Sequence, residues 1–313
     1  MKRLTVAQVE AARRAIDPVF LHTPQYECEP LGNLLGCRVL LKVETQNPIR
    51  SFKGRGADFL VSQLADEPLI CASAGNFGQA MAYACRKRGI PLTIYASVQA
   101  NPYKIERMRA LQANVVLYGD DFDAAKEEAK AVATRDNIRF VEDSLDVETL
   151  IGAGTMGLEL LGLSQTIDCL LIPLGNGALF NGVATVFKAH RPQTKVIAIQ
   201  AAGAPAMIES WRQKTLLNYS KIQTIADGIG VRSPIPQALE DMEGLADDGL
   251  LVSETSILQA MKHLHQYAGL VVEPSGAVGI AAVIENPALF VDKTVTTIVC
   301  GGNLTQEQMK QWL

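Results

Sequence analysis

A chain of 313 residues, 48% of them hydrophobic, is long enough to bury a sizeable core and to divide into two lobes, since single cores stop growing near this size. Its formal charge of −4, without a basic run, gives no purchase on nucleic acid or an anionic membrane and leaves small molecules as the expected ligands. No apolar stretch is long enough to span a bilayer, and the six cysteines lack CxxC spacing, so they read as reduced, mostly buried thiols of a cytoplasmic protein.

The opening MKRLTVAQVEAARRAIDPVF carries Glu10, Arg13 and Arg14 through its middle. It lacks the apolar block of a signal peptide and reads as an amphipathic helix. Strands are then expected near Arg38–Val43, Pro68–Ala72, Leu92–Ala96, Asn114–Leu117, Ile138–Val141, Cys169–Pro173, Lys195–Gln200 and Thr294–Val299. Between most of them lie runs of helical length, such as GQAMAYACRKRG, YKIERMRALQA and DAAKEEAKAVATR. This alternation predicts an α/β fold with parallel or mostly parallel sheets covered by helices on both faces. Glycine-rich turns follow the strand ends at Cys71, Pro173 and Val299, the carboxyl edge where open α/β sheets take ligands.

Several chemistries are disfavoured at those turns. GNGALFNG spaces Gly175, Gly177 and Gly182 two residues too widely for a dinucleotide fingerprint, and the next strand ends in Gln200 where an acid would hold a ribose. The turn still offers backbone N–H groups to one phosphate, or is simply a tight strand-to-helix connection. AGNFG centres on asparagine, so no serine nucleophile elbow is present. His263 and His265 project to different helix faces and form no metal pair, and Asp120–Asp121 and Asp247–Asp248 read as solvated turns or helix caps. Lys53, in NPIRSFKGRGA, is either an exposed helix-start lysine or a nucleophile activated by Phe52 and by the cations Arg50 and Arg55.

Taken in order, SFKGRGA, SAGNFGQA, PLGNGALFNG, IADGIG, VEPSGAVG and VCGGN resemble the serine/threonine dehydratase group of fold type II pyridoxal-phosphate (PLP) enzymes, relatives of serine racemase with a tryptophan synthase β-like fold. The likeness runs from HTPQYECEPLG to CGGN. It implies a PLP-dependent lyase with Lys53 as the Schiff-base lysine, removing the β-hydroxyl of L-threonine, L-serine or a larger β-hydroxy amino acid to give a 2-oxo acid and ammonia. Phe52 would pack on the cofactor ring and Asn76 would bond its phenolic oxygen. Gly175, Asn176, Gly177, Ala178 and Leu179 would wrap its phosphate, Gly228 and Glu273 would line it, and Cys300 would face the pyridine nitrogen. Ser73, Ala74, Gly75, Asn76 and Phe77 would hold the substrate. A large cofactor-binding domain (1–67 plus 145–313), a small domain (68–144) and a homodimer are implied as well.

The departures from the family pattern matter. Ala74 replaces the serine that racemases of this group use as a second base, so racemisation is expected to be minor. Gln200, Ala204 and Ala206 stand where metal-dependent members place carboxylates, so no metal is expected. Asn176 and Ala178 interrupt the usual glycine run of the phosphate loop. Glu142, Asp143 and Ser144 fall near the substrate side, either selecting an unusual β-hydroxy amino acid or merely ending a polar strand. The short tail after CGGN leaves no room for a regulatory domain, so isoleucine feedback is not expected. Two other readings stay open: β-replacement or threonine-synthase-like chemistry, and a PLP-binding or amino-acid-sensing protein with a degraded site.

Overall fold

A computed structural model of the chain describes residues 3–313; Met1 and Lys2, the start of the expected N-terminal helix, lie outside the described residues. Among the described residues ten strands are formed: β1 (Gln25–Glu27), β2 (Arg38–Val43), β3 (Leu69–Ala72), β4 (Leu92–Ala96), β5 (Asn114–Leu117), β6 (Arg139–Val141), β7 (Cys169–Pro173), β8 (Lys195–Ala201), β9 (Asp248–Val252) and β10 (Thr294–Val299). They build a six-stranded sheet in the order β1-β2-β10-β7-β8-β9 and a four-stranded sheet in the order β5-β4-β3-β6. Every pairing is parallel except that of β1 with β2. β7 and β10 are buried at every position, as strands sandwiched between helices must be.

Two strands carry no clear sequence signal. β1 is three residues long, too short to show alternation. β9 begins at Asp248, where the sequence suggests a solvated turn or cap. It lies at the sheet edge, where a charged residue stays in water and pairs with Lys195 at 3.2 Å. Neighbouring Asp247 accepts from Val196 N–H at 2.7 Å and so ties β8 to the loop before β9. The N-terminal helix is also shorter than its pattern suggests. It covers Val6–Ala12, and Pro18 opens a separate 3₁₀ turn capped by Asp17.

Helix Lys53–Ser62 fixes the geometry of everything that follows. It lies against helix Val147–Leu160 so closely that a Cβ on Gly56 would meet Thr149 O at 2.7 Å, and one on Gly152 would meet Arg55 O at 2.5 Å. Its Phe59, Leu60 and Val61 join Met81, Ala84 and Ile94 of the four-stranded layer in one apolar cluster. The helix is therefore clamped on both sides, and its first residue, Lys53, is held between the two sheets.

Candidate active site

The carboxyl ends of β2, β3, β7 and β10 converge on one cavity of about 410 Å³, a size suited to a cofactor and a small substrate. Between β2 and Lys53 the chain is braced by Asn47, whose Oδ1 accepts from Ile49 and Ser51 N–H and whose Nδ2 donates to Glu44 and Ser51 carbonyls. Phe52 N–H then donates to Cys300 O at 3.0 Å, Gly302 N–H to Arg50 O at 3.0 Å, and Ser51 bridges Gly301. These bonds lock the lysine turn onto the end of β10. Lys53 Nζ lies 4.7 Å from the centre of the Phe52 ring and donates to Asp143 Oδ2 at 2.6 Å.

At the end of β7, Gly177 takes φ = 102°, which a side chain would strain, and starts helix Ala178–His190. Among the described residues, the N–H groups of Gly175, Asn176, Gly177 and Leu179 meet no protein acceptor, and that of Ala178 donates to Ser144 Oγ at 3.1 Å. Unpaired N–H groups at a helix N-terminus form an anion cradle suited to a phosphate. A Cβ on Gly175 would come within 3.1 Å of Gly228 O, so the two glycines keep the cleft wall thin. Ser275 Oγ is buried beside the same wall without a hydrogen-bond partner. An orphaned hydroxyl, free N–H groups and an accessible lysine are the features that a phosphorylated aldehyde cofactor requires, and the residues fit PLP.

Across the cleft, β3 runs into Ser73, whose Oγ accepts from Gly75 N–H at 3.2 Å and Gly78 N–H at 2.9 Å. The N–H groups of Asn76 and Phe77, at the start of a 13-residue helix, are left free for a carboxylate. Asn76 Nδ2 donates to Glu273 Oε1 at 2.6 Å while its Oδ1 accepts from Asn303 Nδ2 at 2.9 Å; one amide hydrogen remains for the cavity. Glu273 also accepts from Asn303 N–H at 3.1 Å. Burial pushes its carboxyl up to about 7, against the pull of Lys104. Burial likewise pushes the Cys300 thiol well above its ordinary value, so it stays neutral. Lys104 reaches the cavity and pairs with Asp227, whose exposed carboxylate sits beside Gly228.

All fifteen nominated site residues line this cavity: Phe52, Lys53, Ser73, Ala74, Gly75, Asn76, Phe77, Gly175, Asn176, Gly177, Ala178, Leu179, Gly228, Glu273 and Cys300. One expectation about their neighbours is corrected, and a second, left open between two readings, divides by residue. Arg55 does not accompany Lys53; it turns away to Glu44 and Glu159, and Lys53 has a carboxylate for its closest charged partner instead. Glu142 points elsewhere, to Lys126 and Lys130. Ser144, with φ = 70°, accepts from Ala178 N–H at the turn after β7, leaving Asp143 as the member of that trio in the cavity.

The sequence alone assigns no role to Lys104, Asp227, Ser275 or Asn303. Asn303 and Ser275 stand inside the quoted CGGN and VEPSGAVG strings, so a local signal exists for them. For Lys104, in a helix of mixed charge, there is none. Gln200 Oε1 accepts from Ile208 N–H at 3.1 Å, and Ala204 and Ala206 are buried. No cluster of three or more metal-ligating His, Cys, Asp or Glu occurs among the described residues.

Comparison with known proteins agrees with this geometry. Residues 16–301 match the family model described as pyridoxal-phosphate dependent enzyme. The chain is 32% identical to a biosynthetic L-threonine dehydratase of Halalkalibacterium halodurans, over 97% of this chain and 75% of that protein. It is 33% identical to an L-threonine ammonia-lyase of Thermotoga maritima, over 96% of this chain and 76% of the other. Among solved structures it resembles a threonine deaminase from T.th. (TM-score 0.91, 32% identity, 96% of this chain and 99% of that one). Maize serine racemase superposes with the same TM-score at 26% identity, covering 98% of this chain and 97% of the racemase.

Proposed function

The chain belongs to the pyridoxal-phosphate dependent enzyme family, and from that premise we propose that it is a PLP-dependent lyase acting on a small β-hydroxy amino acid, L-threonine or L-serine, to release a 2-oxo acid and ammonia. The observation that carries this reading is that Lys53 Nζ opens into the same cavity as the free N–H groups of Gly175, Asn176 and Gly177. Lys53 would hold the cofactor, with Phe52 against its ring, the 175–179 loop around its phosphate, Gly228, Glu273 and Asn76 lining it, and Cys300 toward its ring nitrogen.

Bound PLP supplies an electron sink for the charge left when the α-proton departs. The free N–H groups of Asn76 and Phe77, beside Ser73, Ala74 and Gly75, orient the substrate carboxylate at the positive end of their helix. Lys53 Nζ is placed to take the α-proton, and Asp143, 2.6 Å away, stabilises the positive charge that it then carries. Burial keeps the Cys300 thiol neutral, so beside the cofactor's ring nitrogen it would contribute no charge, which would favour elimination. Lys104–Asp227 and Arg232 with Asp121 and Asp123 join the two sides of the cleft and help to exclude water.

In the same reading, residues 68–144 form the small domain and the remainder the large one. The enzyme works as a cytoplasmic homodimer, which sedimentation of the purified protein checks. No described helix is long and apolar enough to cross a membrane. The deciding experiment supplies L-threonine or L-serine to the PLP-loaded protein without an added nucleophile. Steady, equal release of 2-oxo acid and ammonia is expected. Release only when an external nucleophile is added would replace lyase with β-replacement chemistry, and a cofactor band without turnover would indicate a sensor.

A further inference from the structure

Lys104 is a buried cation in the wall of the cavity. It stands in the first turn of helix Pro102–Ala110, is 5% exposed, and lines the cleft together with Ser73, Gly75 and Asn76. A Cβ added to Gly75 would come 3.9 Å from Lys104 Nζ and, among the described residues beyond its chain neighbours, within 4 Å of no other heavy atom. Open space therefore separates the ammonium from the turn whose Asn76 and Phe77 N–H groups meet no protein acceptor. Burial favours the neutral amine, but the carboxylates of Asp227 and Glu273 outweigh it and keep the charge on. Glu273 is already committed to Asn76 and Asn303, so Asp227 is the carboxylate to which Lys104 donates. The two partners are unequal: the Asp227 side chain, from the 3₁₀ turn Asp227–Ile229, is 60% exposed and that of Lys104 is 6% exposed. An anion that keeps most of its water loses little on letting go, whereas a carboxylate entering the cleft gains a desolvated ammonium and a helix N-terminus together.

We propose, building on the lyase reading above, that Lys104 is the cationic half of the substrate α-carboxylate site and that Asp227 holds the substrate's place on it in the empty cleft. An incoming amino acid displaces Asp227, and its carboxylate bridges Lys104 Nζ and the N–H groups of Asn76 and Phe77. Lys104 thereby separates amino acids from simple amines of similar size. Asp227 lowers the apparent affinity in proportion to the share of molecules in which it occupies the ammonium. Arg232, paired with Asp121 and Asp123, keeps the two sides of the cleft joined during the exchange.

The test uses L-alanine, which has the α-carboxylate but no β-group to lose, and ethylamine, which has the amine without the carboxylate. Binding to the PLP-loaded protein is read from the shift of the visible cofactor band, with no turnover involved. Lys104→Met is expected to weaken L-alanine by about 10-fold or more and to change ethylamine by no more than about 2-fold, with Lys104→Arg recovering part of the loss. Asp227→Asn is expected to tighten L-alanine by about 3-fold or more, a result that decides the matter by itself if Lys104→Met fails to fold. The cofactor-free protein supplies a second readout: propionate should raise its thermal midpoint, more so in Asp227→Asn and not in Lys104→Met. Equal losses of L-alanine and ethylamine in Lys104→Met, or unchanged or weaker L-alanine binding in Asp227→Asn, would overturn the assignment. The stated propionate pattern in a protein that gives no cofactor band with PLP would instead overturn the lyase reading and leave the carboxylate site standing.

Discussion

Lys53 and Arg55 stand two residues apart at the start of one helix, yet they belong to opposite kinds of charged cluster. Arg55 is fully buried and bonds Glu44 at 2.9 Å, Glu159 at 2.6 Å, Thr155 at 3.0 Å and Thr23 at 3.1 Å; Lys42 completes the group by pairing with Glu159. Two cations meet two carboxylates, and none of the four residues keeps a buried polar atom without a partner. Burial alone would raise the Glu159 carboxyl, but Arg55 and Lys42 outweigh it and hold it at about 2. Around Lys53, by contrast, Asp143 Oδ1, Ser275 Oγ and Asn303 Oδ1 are buried and unpartnered. Closed networks hold the cleft in place; open ones keep hydrogen-bonding capacity for what binds there.

Lys53→Ala breaks the open cluster at its centre. Loss of both the visible cofactor band and turnover, the latter by about 1000-fold or more, is expected from absorption spectra and product assays. A variant that keeps the band and the rate would show that another residue holds the cofactor. Arg55→Met breaks the closed cluster. It leaves Glu44 and Glu159 with too little compensating charge and should cost about 3–5 kcal/mol in denaturant unfolding. A loss below about 1 kcal/mol would mean that water reaches the site and the cluster is no scaffold.

Glu273 sharpens the contrast through pH. Its folded-state value of about 7 lies above the ordinary 4.5, so the folded protein binds the extra proton between those limits. Stability should therefore fall as pH rises from about 4.5 to about 7 and level off above, by on the order of 3 kcal/mol. Glu273→Gln should remove that slope from the thermal midpoint. An identical slope in the variant would place the titration elsewhere. Glu159 has the opposite sign: its stabilisation is present above about 4.5 and is lost as pH falls toward about 2. The smallest effect is expected from Ala74→Ser: chiral analysis of recovered serine should show a gain in racemisation over the unaltered enzyme, and no gain would count against the missing hydroxyl as the reason that racemisation is minor.

Much of the architecture was legible because its signals are local. Apolar runs such as CLLIP and TVTTIV mark doubly covered strands, and the glycine turns after them mark the ligand edge. What was not legible was direction. GRGA places Arg55 near Lys53 in the chain, but a helix turns by about 100° per residue, and two steps carry Arg55 to the opposite side. Asp143 lies 90 positions from Lys53, Lys104 lies 123 from Asp227, and Asn76 lies 197 from Glu273. No periodicity reports such pairs.

By itself the sequence determined the alternation of strands and helices, the lysine turn, the glycine turn after β7 and the family they resemble, because short-range backbone chemistry writes those features into contiguous residues. Only the tertiary structure decided which carboxylate meets Lys53, which cations remain scaffold and which polar atoms stay unpaired. Those outcomes depend on how two sheets dock across one helix, and burial and charge pairing are properties of that docking.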